Sequence, residues 1–173
     1  MSFRLYPEEQ HWCSFADYGA ILSVTRRVAP VRALEFGPGW STLALVEGGA
    51  RHVDALEDDR HWLKVARERL APFADVVRVL PYTWFEDRPI VPIDADARYD
   101  LGLVDGPKDV ADRPAVVAFA LGRCDRVLVA LETDSGTIMR DAVDRLSAAQ
   151  RRPVEVIVSG PLAGAYALIG PRP

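Results

Sequence analysis

The stretch Val31-Arg32-Ala33-Leu34-Glu35-Phe36-Gly37-Pro38-Gly39-Trp40-Ser41-Thr42-Leu43-Ala44-Leu45 decides the fold. Its first part is a short apolar run and its last part is amphipathic, which predicts a strand that enters a glycine turn and leaves as a helix. Gly37 and Gly39 are expected to take positive φ and to let a ligand approach the main chain where a Cβ would clash. Ser41 or Thr42 is expected to cap the helix, whose free N–H groups would face that ligand. Such a turn serves either as a cofactor loop or as a plain tight connection. The next apolar run, Arg51-His52-Val53-Asp54-Ala55-Leu56-Glu57, ends in an acid about 20 residues after the turn, where dinucleotide-binding patterns place a ribose-binding carboxylate.

Bulk properties bound the rest. At 173 residues and 49% hydrophobic, the chain suffices for one domain with a sizeable core and is too short for two ordinary ones. The expectation is a helical segment over residues 1–29 followed by an αβα core over 30–173. A net charge of −4 and a pI near 5.4 argue against a general nucleic-acid binder, because neutralising phosphates needs a basic face. Cys13 and Cys124 are far apart and lack metal-ligand spacing, so they read as thiols rather than as a secreted disulfide scaffold. Residues 1–10 carry Arg4, Glu8 and Glu9 without a continuous apolar run, and no segment reaches membrane-spanning length. A cytoplasmic protein without a membrane contact is expected.

Taken in order, residues 7–29 read as one or two helices that Pro30 ends. Trp12, Phe15 and Tyr18 there line a substrate mouth or a dimer contact, or else cover one edge of the sheet. The helix after the glycine turn is expected to stop at Gly48-Gly49. Asp58 and Asp59 open another helix, with Trp62, Leu63, Ala66 and Leu70 as its apolar stripe. Residues 75–80 form a third strand, and the strand–helix rhythm implies a parallel sheet. Residues 81–98 break that rhythm. Tyr82, Trp84 and Phe85 within them either stack on a ligand or anchor a long loop.

A fourth strand over residues 99–104 delivers Asp105-Gly106-Pro107-Lys108-Asp109 at its carboxyl end. In an open parallel sheet, ligands bind beyond such ends where the strand order reverses, so Asp105 is expected to face the Gly37–Gly39 turn. The alternative role for this acid is to cap its own turn. A helix over residues 112–123 leads to a fifth strand over 126–131, which ends in the acid cluster Glu132-Thr133-Asp134. The next helix is expected to bury Ile138, Ala142, Val143 and Leu146. The connection Gly160-Pro161-Leu162-Ala163-Gly164 is too short for a parallel crossover, so the last strand, 165–169, must return antiparallel to the sixth.

A parallel sheet finished by an antiparallel seventh strand resembles the class I S-adenosylmethionine-dependent methyltransferases, a three-layer αβα Rossmann-like fold, over almost the whole chain after residue 30. Glu35-Phe36-Gly37-Pro38-Gly39 resembles the acid-x-Gly-x-Gly first motif of that family, and Trp40-Ser41-Thr42 continues it. Glu57 matches the ribose-binding acid, and Leu103-Val104-Asp105-Gly106-Pro107 is similar to the fourth motif. The resemblance implies S-adenosylmethionine as cofactor, with Glu35, Gly37, Gly39, Ser41, Thr42, Glu57, Asp58 and Asp105 around it. A sulfonium cation with a ribose diol suits such carboxylates, which supply negative potential and hydrogen-bond acceptors.

Two departures matter. The third strand ends Leu80-Pro81-Tyr82, without the acid or amide often found near the adenine. Asp105-Gly106-Pro107-Lys108-Asp109 is also similar to the Asp-x-x-Lys-Asp run of catechol-type O-methyltransferases, which implies Lys108 as base and magnesium at the first acid. The Asp-Asn pair of those proteins is replaced here by Glu132-Thr133. Asp105 and Glu132 are therefore the residues available to a Mg2+ ion, while the leading expectation is an enzyme with no resident metal.

The function expected is methylation of a small molecule, with oxygen as the acceptor atom and Asp105 and Lys108 as the catalytic candidates. A non-catalytic module of the same fold that binds the cofactor or a partner is the alternative. A nicotinamide-dependent oxidoreductase fits less well, since Thr42 stands where the third glycine of its fingerprint belongs. The partners expected are a small methyl acceptor and, as a candidate, a second copy of the chain, with neither nucleic acid nor membrane.

Overall fold

A computed structural model describes residues 15–107, 109–131, 136–158 and 165–173. Helix α1 (Phe15–Val28) leads into strand β1 (Arg32–Phe36), α2 (Trp40–Glu47), β2 (His52–Glu57), α3 (Arg60–Leu70) and β3 (Val77–Pro81). Two short strands follow, β4 (Thr83–Phe85) and β5 (Arg88–Ile90), then β6 (Tyr99–Val104), α4 (Arg113–Arg123), β7 (Cys124–Leu131), α5 (Gly136–Ala149), β8 (Val154–Val158) and β9 (Ala165–Ile169).

The main sheet has seven strands in the order β3-β2-β1-β6-β7-β9-β8. β1 lies parallel between β2 and β6, with Leu34 beside Asp54 on one side and Gly102 on the other. β9 runs antiparallel to both β7 and β8, so the short final connection returns as expected and also wedges the last strand between its two neighbours. The order reverses at β1 and β6, and a ligand crevice belongs above their carboxyl ends.

Each face of the sheet is covered. Ile21 and Val24 of α1, Leu43 and Leu45 of α2, and Ala66 and Leu70 of α3 pack on Ala33, Val53, Leu101 and Leu128. On the other face Val117 and Leu121 of α4 and Met139 and Val143 of α5 pack on Leu34, Leu56, Val127 and Ala167. Leu34 and Leu45 are fully buried, each contributing about 1.5–3 kcal/mol by removal from water. No helix among the described residues is long and apolar enough to cross a membrane.

Several local expectations are corrected. In α5 the apolar stripe begins at Met139, which is fully buried, while Ile138 is half exposed. Met139, Ala142, Val143 and Leu146 follow an i, i+3, i+4, i+7 pattern, the spacing that one helix face can bury. In α3 Leu63, Ala66 and Leu70 face inward, whereas Trp62 is more than one-third exposed and lies edge-on to His61. Asp59 caps that helix, accepting from the main-chain N–H groups of His61 and Trp62 at 2.7 and 3.0 Å. β7 begins at Cys124, two residues earlier than the sequence suggests. Of the expected N-terminal helices, residues 7–14, with Trp12 and Cys13, lie outside the described residues.

Residues 81–98 contain a second, two-stranded antiparallel sheet. Phe85 pairs with Arg88 across Glu86 and Asp87, both at positive φ, which is a tight hairpin of the primed type. This hairpin and the loop after it occupy the place where a helix would cover the sheet between β3 and β6. Tyr82 is buried against Phe36, with ring centroids 5.4 Å apart, and Trp84 lies edge-on to Tyr82 at 5.8 Å. The aromatic pair thus ties the loop to the core, while Phe85 faces outward.

Candidate functional site

The carboxyl ends of β1, β2 and β6 meet at one point. Gly37 at φ +87 turns the chain off β1, and its N–H donates to the carbonyl of Leu56 on β2 at 3.0 Å. The N–H groups of Asp105 and Gly106 both donate to the carbonyl of Phe36, at 3.1 and 2.9 Å. Asp105 therefore stands next to the glycine turn, as the strand order requires. A Cβ added to Gly37 would lie 2.9 Å from the Gly106 nitrogen, so glycine is needed there for contact between strand ends as well as for its φ.

Gly39 differs from the expectation. Its φ is −168, an extended value open to any residue, because it is the residue preceding α2 and not part of the left-handed turn. Neither Ser41 nor Thr42 is the residue that precedes α2, but Thr42 contributes to the cap from the third helical position. They sit inside its first turn, and both hydroxyls donate to the Glu35 carboxylate at 2.6 Å, while Thr42 Oγ1 accepts from the Gly39 N–H at 3.1 Å. Glu35 is fully buried, so its carboxylate braces the turn from below. Burial pushes its pKa up to about 8 against the pull of the two hydroxyls, with the charges of Asp105 and Glu57 adding to the rise.

Glu57 ends β2, where its main-chain carbonyl accepts from the Tyr82 N–H at 3.1 Å and its side chain accepts from the Asp59 N–H at 3.0 Å. Partial burial, together with the neighbouring charges of Asp58 and Asp59, raises its pKa to about 7 despite that hydrogen bond. Asp58 accepts from the Trp84 indole at 3.0 Å, a link from the rim to the hairpin that the sequence did not reveal. Tyr82, raised above its ordinary value by burial and by Asp58 and Glu57, keeps its proton at neutral pH. Asp112 is also raised from its ordinary value, by burial and then by Asp109, Asp58 and Asp87. Acids from four separate segments therefore feel one another above the strand ends.

Arg113 is the other residue that motif reasoning missed. Buried in the first turn of α4, it donates from Nε to the Pro107 carbonyl at 2.7 Å and so fixes the loop that carries Asp105. The Asp109 carboxylate is engaged by the Ala111 N–H at 3.0 Å, a local turn. Lys108, Glu132, Thr133 and Asp134 lie outside the described residues. Among the described residues no group of three or more His, Cys, Asp or Glu side chains is placed to hold a metal.

No family model matches the sequence, and no curated protein does. Solved structures do match. The chain superposes on an O-methyltransferase from Bacillus cereus in complex with SAH with a TM-score of 0.68 at 17% identity, covering 91% of this chain and 81% of that one. This chain has the methyltransferase fold. An SAH-bound methyltransferase from Podospora anserina gives a TM-score of 0.64 at 18% identity over 97% and 83% of the two chains. A methyltransferase from Pyrococcus furiosus gives 0.67 at 14% identity over 96% and 86%. In this fold the glycine turn, Glu57 and Asp105 stand at the carboxyl ends of three adjoining strands.

The residues fit an S-adenosyl group. Two adjoining strand ends without side chains, Gly37 and Gly106, leave a backbone floor. Glu57, half-buried and crowded by acids, gains from a cationic neighbour and offers acceptors to a diol.

Proposed function

We propose that this chain is an S-adenosylmethionine-dependent methyltransferase acting on a small molecule, with oxygen as the acceptor atom, and that it works as one cytoplasmic domain without nucleic acid. The observation that carries this reading is the convergence of the Gly37 turn, Glu57 and Asp105 at the point where the strand order reverses. Support comes from the fold it shares with the Bacillus cereus O-methyltransferase and the Podospora anserina methyltransferase, both bound to SAH.

When bound, the cofactor supplies an electrophilic methyl group on a sulfonium. Glu57 then accepts hydrogen bonds from the ribose hydroxyls, with Asp58 beside it. Gly37, closed against Gly106, and Gly39 would give the methionine portion a main-chain floor, and Glu35, Ser41 and Thr42 hold the turn in shape from beneath. Asp105 contributes negative potential at the reacting end. Lys108 is the candidate to receive the proton of an acceptor hydroxyl, and alignment of that hydroxyl is the larger part of the catalysis. Magnesium at Asp105 and Glu132 is not needed for this reading.

The test is a calorimetric titration of the pure protein with S-adenosylhomocysteine, with NAD, and with the first ligand in the presence of Mg2+. Binding of S-adenosylhomocysteine alone, with a matching rise in melting temperature, supports the proposal. Binding of neither ligand overturns it.

A further inference from the structure

We propose that strand β8 joins two copies of this chain edge to edge. β8 is the outermost strand of the seven, so one row of its N–H and C=O groups faces away from the sheet. Val154, Val156 and Val158 pair with Ile169, Ala167 and Ala165 and therefore point to the α5 side of the sheet, where they are 37, 59 and 70% exposed. Edge strands that stay single are blunted by lysine, proline or a bulge within the strand, and β8 has none of these. Among the described residues nothing pairs with this edge, and its three exposed valines at alternate positions form an apolar strip that a paired strand would cover.

The strand itself identifies the cover as a second copy. Val-Glu-Val-Ile-Val places valine symmetrically about Val156, so a two-fold axis there sets Val156 against Val156 and Val154 against Val158 of the second copy. All the valines then lie on one face, and the two seven-stranded sheets become continuous. Glu155 is the one charged residue of the strand, and it is already answered within its own chain. Arg27 grips it through both terminal guanidinium nitrogens at 2.8 Å, so pairing carries no uncompensated carboxylate into the contact. The same axis sets Glu155 opposite Ile157, leaving the two ion pairs diagonal to each other rather than directly opposed.

The full chain, examined by sedimentation over a range of concentrations, should show a species of twice the 19.1 kDa chain mass. V156K should raise the dissociation constant roughly a hundredfold while keeping the circular dichroism spectrum and the melting transition of a folded chain. A cysteine pair reports the register independently of stability. In a C13S background, V156C should cross-link to itself on oxidation, and I157C, which faces residue 155 of the second copy, should not. A wild-type chain that stays single at every concentration overturns the proposal, as does a dimer that survives V156K or a failure of V156C to cross-link.

Discussion

Gly37 and Gly106 touch main chain to main chain: a Cβ on the first would lie 2.9 Å from the nitrogen of the second, and a Cβ on the second 3.1 Å from the Cα of the first. The glycine turn is therefore shaped by two strand ends that meet, and each glycine is required by the other. A motif that looks local in the sequence is completed by a residue on β6.

This contact separates two glycine substitutions of similar backbone geometry. Gly49, at φ +108, has open space around its missing Cβ, so Gly49→Ala should cost only the backbone strain, about 1–3 kcal/mol. Gly37→Ala carries the same kind of strain and must also push the end of β6 away. Urea unfolding should show the larger loss at Gly37, and S-adenosylhomocysteine binding should fall only there. Equal losses would mean that the Gly106 contact yields freely.

Glu35 supplies a pH dependence with a definite sign. Its folded pKa, near 8, lies above the ordinary carboxylate value of 4.5, so between those values the folded chain holds a proton that the unfolded chain releases. Stability from this group is present below about pH 4.5 and is lost as pH rises toward 8; Glu57, raised to about 7, acts in the same direction. Glu35→Gln should flatten the decline of melting temperature between pH 5 and 8. Parallel pH profiles for the two proteins would show that Glu35 is ionised in the folded state throughout.

Removal of the carboxylate at the end of β2 should weaken cofactor binding. Glu57→Ala should weaken S-adenosylhomocysteine about ten- to a hundredfold, the loss of hydrogen bonds worth roughly 1–3 kcal/mol. Because the proposed role needs the ionised form, affinity in the wild type should also decline as pH drops below about 7. Calorimetry at pH 6 and pH 8 checks both statements, and an unchanged constant in the variant would take Glu57 out of the site.

A second buried acid lies beneath the loop that precedes β6. Asp54 is fully buried; burial alone would raise its pKa, but the Arg78 guanidinium at 2.6 Å, the Tyr99 hydroxyl at 2.8 Å and the nearby His52 bring it below the ordinary value. Its contribution is present above the unfolded carboxylate value and is lost as pH falls through the lower folded one. Tyr99→Phe should cost about 1.5–3 kcal/mol near neutrality, with the deficit shrinking in strong acid as Asp54 takes up a proton. A deficit that stays constant down to the acid transition would argue against this network.

The parallel sheet, its reversal between β1 and β6 and the antiparallel return were legible because they depend on features that survive reading in one dimension: apolar runs, a glycine turn after the first, and a final connection too short for a crossover; the insertion of β9 between β7 and β8 was not. The placement of Glu57 and Asp105 on one rim followed from that order. What escaped the sequence depends on contacts between distant residues. Ser41 and Thr42 have the composition of capping residues, yet Glu35 buried beneath them captures both hydroxyls. Ile138 and Met139 are equally apolar, and only the direction from which β7 and β9 approach selects the second. The hairpin of residues 83–90 has strands three residues long, below the length at which alternation is visible.

That hairpin also bears on how the scaffold can change. Its first arm is fixed, at Tyr82 by Phe36 and at Trp84 by Asp58, and Val91 just after its second arm packs on the core, while its tip, Glu86 and Asp87, stands exposed. Extra chain inserted at the tip leaves the crevice geometry alone, and each doubling of loop length costs only about 0.6 kcal/mol in closure entropy. The tip is a grafting point, where a longer cover can be added without redesigning the strand ends that meet at Gly37 and Gly106.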